Sequence, residues 1–309
     1  MSFSDAESRA CRRLVEMALD EDLGDIGDIT SRAFIPPKLE GRAVFVARAA
    51  GVVAGLPAVQ LVFQTAHTPL VKFETLVEDG ARVGPGDRLA AVSGLMEFIL
   101  TGERTALNFL QHMSGIATLT RKYVDAVAGL PCKILDTRKT LPGWRLLEKY
   151  AVRQGGGYNH RLGLFDGILI KDNHLAAWQG KDRLQSLLLE IKGQLPVSYS
   201  KFGQIPGSRI LEDTSNLPVE IEVENLDQLS WALSCFPDMV LLDNMSPAQL
   251  RQAVKQRNAA GSKVLLEASG GVTLESVRAI AETGVDRISI GALTHSAPAL
   301  DIALDLLIK

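Results

Sequence analysis

Six short apolar runs in the second half of the chain each stop at charged or glycine-rich residues. They end at Asp136-Thr137-Arg138-Lys139, Lys171-Asp172-Asn173-His174, Glu222-Val223-Glu224, Asp243-Asn244, Glu267-Ala268-Ser269-Gly270-Gly271 and Ser289-Ile290-Gly291-Ala292. An apolar run of about four to eight residues followed by a helical stretch reads as a buried parallel strand and its crossover helix. This alternation runs from Cys132 to about Leu293. If the units close around a core, the polar groups at the strands' carboxyl ends converge on one rim, where such architectures carry their chemistry.

The first half follows a different grammar. Cys11, Leu14, Val15, Ala18 and Leu19 lie at helical spacing, and the acidic, glycine-broken stretch from Asp20 to Asp28 ends that helix. Strand-like runs follow at Ala43–Val46, Val52–Ala54, Val71–Phe73 and Leu89–Val92, with a helix predicted over Leu56–Thr65, which together describe a small α+β domain. Between Asp79 and Leu89 the Gly, Pro and Asp residues read as turn chemistry, since no lysine sits at a hairpin tip to receive a cofactor. A long helix from Gly102 to about Val127, with an apolar stripe through Leu107, Leu110, Ile116, Leu119 and Tyr123, is expected to link the domains. The last stretch, Ala297 to Ile308, has the spacing of an amphipathic helix. Between Gly193 and Pro218 the alternation lapses, and a surface excursion or flexible loop is expected.

Bulk properties narrow the field. A chain of 309 residues accommodates one large domain or a large and a small one. With 46% hydrophobic and 22% charged residues and a net charge of -3, nothing global points to nucleic acid, so any basic site is local. The opening Met1–Glu7 carries no secretory apolar stretch, and no segment approaches the ~20 apolar residues of a membrane span, so a cytoplasmic address is expected. Cys11, Cys132 and Cys235 form no Cys-x-x-Cys pair and read as reduced packing residues.

Three constellations carry chemistry. Ser269-Gly270-Gly271-Val272-Thr273 lies between a strand and a helix beginning at Leu274, where glycine lets the backbone approach an anion and free N–H groups point at it. Gly291-Ala292-Leu293 stands at the next such turn, and adjacent late turns of a barrel commonly share one phosphate; tight turns alone would also explain these glycines. Glu222 and Asp243 end successive strands and suit a hard cation such as magnesium shared with a diphosphate, or else pair with lysines or cap helices; Glu224, Glu267 and Asp172 share their neighbourhood. Finally Arg138, Lys139, His160, Arg161 and Lys171 fall at strand ends or just before a strand, and Arg104 opens the long helix. Gathering so much positive charge is costly unless an anion offsets it, which implies a polyanionic substrate. The glycines of Gln154-Gly155-Gly156-Gly157 read as a helix cap, which leaves the following His160-Arg161 unexplained. His67, His112 and His295 read as structural, and His174 as a residue that orients its neighbours.

Blocks along almost the whole chain carry a resemblance: GERTALNFLQHMSGIAT, DTRKTLPGWRLLEKYAVRQGGGYNHRLGLFDGILIKDNH, EIEVEN, LLDN, EASGGV and ISIGALT. They resemble the type II phosphoribosyltransferases, and specifically the quinolinate phosphoribosyltransferase family of de novo NAD synthesis. The resemblance implies an N-terminal open α/β sandwich over residues 1–115, with the final helix 297–309 packing back on it. It further implies an incompletely closed α/β barrel of about seven strands over residues 116–296, and a homodimer whose sites are completed across the interface.

By the same resemblance, Arg104, Arg138, His160, Arg161 and Lys171 hold the two carboxylates of quinolinate, Arg104 being supplied to the site of a second copy. Lys139 contacts the phosphate or pyrophosphate of phosphoribosyl pyrophosphate, Glu222 and Asp243 stand near the ribose and Mg2+, and Ser269, Gly270, Gly271, Gly291 and Ala292 cradle the 5-phosphate. Lys139, Glu222 and Asp243 are the expected catalytic set. The stretch from Gly193 to Pro218 is longer than the family pattern. Three other readings stand beside this one: a Schiff-base enzyme using Lys171 or Lys139, a family relative associated with molybdenum transport, which should lack part of the dicarboxylate-binding set that is whole here, and a phosphometabolite-binding sensor.

Overall fold

A computed structural model describes residues 3–65, 71–177 and 217–307. In chain order the first elements are α1 (Asp5–Leu23), α2 (Ile29–Phe34), β1 (Glu40–Ala47), β2 (Gly51–Val52), α3 (Leu56–Thr65), β3 (Val71–Thr75), β4 (Arg82–Val83) and β5 (Arg88–Leu95). The long helix α4 (Met96–Ala126) follows, then β6 (Lys133–Leu135), α5 (Arg145–Gln154), β7 (Ile168–Ile170) and α6 (Asp172–Ala177). Beyond residue 216 come β8 (Val219–Val223), α7 (Leu226–Ser234), β9 (Met239–Asp243), α8 (Pro247–Ala259), β10 (Leu265–Ser269), α9 (Leu274–Ala281), β11 (Arg287–Ser289), α10 (Ala292–His295) and β12 (Ile302–Leu306). The chain divides into two compact units, one of residues 1–121, 139–156 and 292–309, the other of residues 122–138 and 157–291.

The first unit is built on an antiparallel sheet in the order β12-β1-β5-β3, with a small β2-β4 ladder. Helix α1 starts at a capping box: Ser4 Oγ accepts the Glu7 N–H, and Glu7 Oε2 accepts the Ser4 N–H at 2.8 Å. Such a cap is worth about 1 kcal/mol. Glu7 is buried and also pairs with Arg153 of α5, while Asp79 accepts the Tyr150 hydroxyl at 2.7 Å and the N–H groups of Gly55 and Leu56 at the start of α3. The predicted helix over Leu56–Thr65 is observed with those limits.

The C-terminal stretch differs from expectation. The spacing predicts a helix over residues 297–309, yet Ile302–Leu306 is the strand β12, paired antiparallel with β1 from Ala47↔Ile302 to Ala43↔Leu306. Ile302, Leu304 and Leu306 alternate with Ala303 and Asp305, so a short segment satisfies either period, and the open edge of β1 supplies the hydrogen bonds that decide for the strand.

The second unit holds the six apolar runs as six parallel strands in the order β6-β11-β10-β9-β8-β7. A single parallel bridge from Leu135 to Tyr158 adds a seventh position outside β6. No strand pairing joins Tyr158 to β7 among the described residues, so the barrel is incompletely closed. The apolar side chains of these strands, among them Ile134, Ile221, Val240, Leu242, Leu266 and Ile288, are buried. The three cysteines are free and buried, as expected. Of the stretch from Gly193 to Pro218, only Leu217 and Pro218 lie within the described residues, and His67 lies outside them.

Candidate active site

Strand register decides which side chains share a face. Glu222 of β8 pairs with Leu241 of β9, two residues before Asp243, so Glu222 and Asp243 project from the same face of the sheet. Asp243 in turn pairs with Ser269 of β10. At this end Lys171, the residue after β7, makes an ion pair with Glu222, and the Lys171 N–H donates to His174 Nδ1 at 2.9 Å. His174 thus orients its neighbour. Beyond Ser269 the chain turns through Gly270 (φ 97°) and Gly271 (φ 56°) into α9, whose N-cap Thr273 shares a capping box with Ser276. Positive φ at both positions is why glycine is required there.

The loop after Gly157 crosses the open side of the sheet. Tyr158 exchanges hydrogen bonds with β6, its N–H donating to Ile134 O at 2.8 Å and its carbonyl accepting the Asp136 N–H at 3.1 Å. The buried Asp136 carboxylate then accepts Asn159 Nδ2 at 2.6 Å and the His160 N–H at 2.8 Å. His160 turns inward: Nε2 lies 3.1 Å from Glu220 Oε2 on β8 and 3.3 Å from Glu267 Oε1 on β10, and Nδ1 accepts the Arg161 N–H at 2.8 Å. Arg287 of β11 completes this interior cluster, its Nε 2.8 Å from Glu267 Oε2. Arg161 Nη1 donates to Gly167 O at 3.0 Å, and Asp166 accepts the N–H groups of Leu162 and Gly163.

Electrostatics separate these groups. Burial lowers the His160 pKa, but the hydrogen bonds and charges of Glu220 and Glu267 outweigh it and raise it to about 10, at the expense of the Arg161 N–H contact, which Nδ1 accepts only while it carries no proton. Burial and the neighbouring Glu267 push the Glu220 carboxyl up. Burial also works against ionised Glu267, but contacts with His160 and Arg287 prevail and hold its carboxyl low. Arg161 is lowered by burial and by the like charge of Arg138, which places two guanidinium groups within mutual repulsion.

His160, Glu220 and Glu267 bring three possible ligand atoms within 4.8 Å of one another, the geometry of a small metal site. Arg287 already offsets the charge of Glu267, and the His160 ring proton fits between the glutamates, so a proton satisfies this cluster without a metal.

The expected residues therefore fall into groups. Arg138, His160, Arg161, Lys171, Glu222, Asp243, Ser269, Gly270, Gly271 and Gly291 belong to the barrel unit; Arg104, Lys139 and Ala292 belong to the other. Arg104 is exposed on α4. Lys139 is exposed, and the loop that begins with it is held from within its own unit. Thr294 Oγ1 donates to Lys139 O at 2.8 Å, buried Glu148 accepts the Leu141 N–H at 3.2 Å and contacts His112 at 3.0 Å, and Trp144 stacks on Phe109. Of the neighbouring acids, Glu224 and Asp172 are exposed, and Glu267 belongs to the interior cluster. Glu220, Arg287 and the role of Asp136 were not foreseen. Their signal was present: Glu220 and Glu222 stand two apart in an apolar strand, and Arg287 opens another, so charge enters a face that should be buried.

The sequence matches the profile described as "Quinolinate phosphoribosyl transferase, N-terminal domain" over residues 28–114. It matches "Quinolinate phosphoribosyl transferase, C-terminal domain" over residues 116–193 and 208–305, the break falling inside the long stretch noted above. A Mycobacterium leprae protein described as nicotinate-nucleotide pyrophosphorylase [carboxylating] is 44% identical over 306 residues, covering 98% of this chain and all of that one. A Nicotiana tabacum protein, quinolinate phosphoribosyltransferase [decarboxylating] 1b, is 40% identical over 95% of this chain and 81% of its own. Among solved structures, the nicotinate-nucleotide pyrophosphorylase from Francisella tularensis superposes with a TM-score of 0.84 at 37% identity, over 97% of this chain and 96% of the other.

Proposed function

The chain belongs to the quinolinate phosphoribosyltransferase family, and on that premise we propose that it joins quinolinate to the phosphoribosyl group of phosphoribosyl pyrophosphate in NAD biosynthesis. The reaction releases pyrophosphate and carbon dioxide and leaves nicotinate mononucleotide. The observation that carries this reading is Lys171, just after β7, paired with Glu222 on the face that Glu222 shares with Asp243, in a barrel unit that also holds Arg138 and Arg161. An anion with more than one carboxylate suits such a set of cations, because guanidinium forks bind carboxylates bidentately.

In this reading Arg138, Arg161 and Lys171 take the two carboxylates of quinolinate and aim its ring nitrogen at C1 of the ribose, while His160, fixed by Glu220 and Glu267, anchors the loop that carries Arg161. Arg104, exposed on α4, is assigned to the site of a second copy in a homodimer. Lys171 exchanges Glu222 for a substrate carboxylate, which frees Glu222 to join Asp243 in facing the positive charge that develops on the ribose. The Ser269–Gly271 turn, with Gly291 and Ala292, receives the 5-phosphate, and Lys139 receives the departing pyrophosphate.

Glu222 and Asp243 offer oxygen donors only, from one face of neighbouring strands, and this suits Mg2+, a hard cation that keeps several waters and shares itself with substrate phosphates. A magnesium ion held by Glu222 and Asp243 would supply positive charge to offset that of the leaving pyrophosphate. Once the ring nitrogen bonds to C1 it carries positive charge, and the pair of electrons left at the ring carbon by departing carbon dioxide is stabilised beside it until a proton replaces the carboxylate. A magnesium-dependent assay comparing quinolinate with nicotinate tests the assignment. Carbon dioxide released in step with mononucleotide, from quinolinate alone, is expected; equal use of nicotinate, or no turnover, overturns it.

A further inference from the structure

The residues assigned above leave Asn244 without a role, yet it stands where the two halves of the phosphoribosyl site meet. It is the first residue after β9, and its N–H donates to Ser269 O at 2.9 Å, extending the β9–β10 ladder past the Asp243↔Ser269 pair. Its side-chain Nδ2 donates to Asp243 Oδ2 at 2.8 Å. On its other side the amide lies against the glycine turn: a Cβ at Gly270 would stand 2.1 Å from Asn244 Oδ1 and 2.6 Å from Asn244 Cγ. Asn244 itself has φ 52°, in the left-handed region that asparagine tolerates better than most side chains. One side chain therefore grips the acid and fills the space that only glycine can leave.

We propose that Asn244 is a positioning residue that locks the Asp243 carboxylate to the Gly270 turn and so sets the spacing between ribose and 5-phosphate on the phosphoribosyl donor. The proposal rests on the function assigned above and deepens it. A carboxylate held through Oδ2 cannot rotate freely, so Oδ1 keeps one direction toward the metal or the sugar. Outer hydrogen bonds of this kind orient the groups that touch substrate, and small misplacements there are costly. The residues assigned to the pyridine acceptor, Arg138, Arg161 and Lys171, include neither group, so Asn244 should govern the donor alone.

Asn244→Gly isolates the side chain, because glycine adopts φ 52° without strain and only the amide is lost. The variant is expected to melt within a few degrees of wild type, to raise the KM for phosphoribosyl pyrophosphate about tenfold with a lower kcat, and to leave the KM for quinolinate nearly unchanged. Asn244→Asp keeps the shape but sets a carboxylate against Asp243, and is expected to lose more activity than Asn244→Gly. If Asn244→Gly does not fold, the aspartate variant carries the same comparison of the two KM values. Wild-type donor KM and kcat in the folded variant, or an equal rise in both KM values, overturns the proposal while leaving the assigned reaction standing. Absence of turnover in the wild-type protein overturns both.

Discussion

Glu220 and Glu222 sit two residues apart on one face of β8, yet they lead different lives. Glu220 faces inward, 2% exposed, and shares His160 with Glu267, which Arg287 also pairs, whereas Glu222, 11% exposed, pairs at the rim with Lys171, whose side chain is 44% exposed. One step of the pleat, about 7 Å along the strand, separates a charge committed to the protein from one available to a ligand. Residue type does not distinguish them; depth along the barrel does. The interior cluster fixes strands β8, β10 and β11 and the loop carrying Arg161, and the rim pair stands on that support.

The contrast predicts effects of different kind and size. Glu267→Ala leaves Arg287 buried without its counter-charge, and is expected to cost about 3–5 kcal/mol of unfolding free energy, read from urea denaturation. A loss under 1 kcal/mol would show that the cluster does not support the fold. Lys171→Ala or Arg138→Ala should do the reverse, lowering carbon dioxide release by roughly 10²–10³-fold with little change in melting temperature, because these groups are assigned to charge on the substrate. Near-normal turnover in both variants refutes their assignment.

A pH series sharpens the same comparison. The unfolded histidine gives up its proton near pH ~6.5, while His160 in the fold holds it to about 10. Between those values the folded chain binds the extra proton, so this contribution is full below pH ~6.5 and is lost as pH rises through about 10. Unfolding free energy should fall over that window, and His160→Asn should flatten the slope; an unchanged slope in the variant would contradict the assigned cluster. The smallest effect belongs to an exposed pair. Asp305→Ala, which removes the partner of Arg48 on β12, should cost under about 1 kcal/mol, and a larger loss would mean that exposure does not set the worth of charge pairs in this protein.

Much of this was legible in the chain. The six apolar runs are the six parallel strands, Leu56–Thr65 is a helix with the expected limits, and the Ser269–Gly271 turn precedes a helix as its glycines require. These features depend on local periodicity and on backbone freedom, which a sequence states directly. No membrane-crossing helix was expected, and among the described residues no helix is long and apolar enough to be one.

Tertiary structure decided the rest, because it pairs residues that are distant in sequence. Ile302–Leu306 became a strand only because β1 offered an edge more than 250 positions away, against a spacing that also suits a helix. His160 met Glu220 and Glu267 across the barrel interior, some 60 and more than 100 positions along the chain, and Asn244 met Gly270 from the neighbouring strand. The amino-acid order set the strands, the turns and the supply of charges. Which charges the protein keeps for itself and which it leaves for a ligand was set by register and depth, since the cost of burying a charge depends on what the fold places beside it.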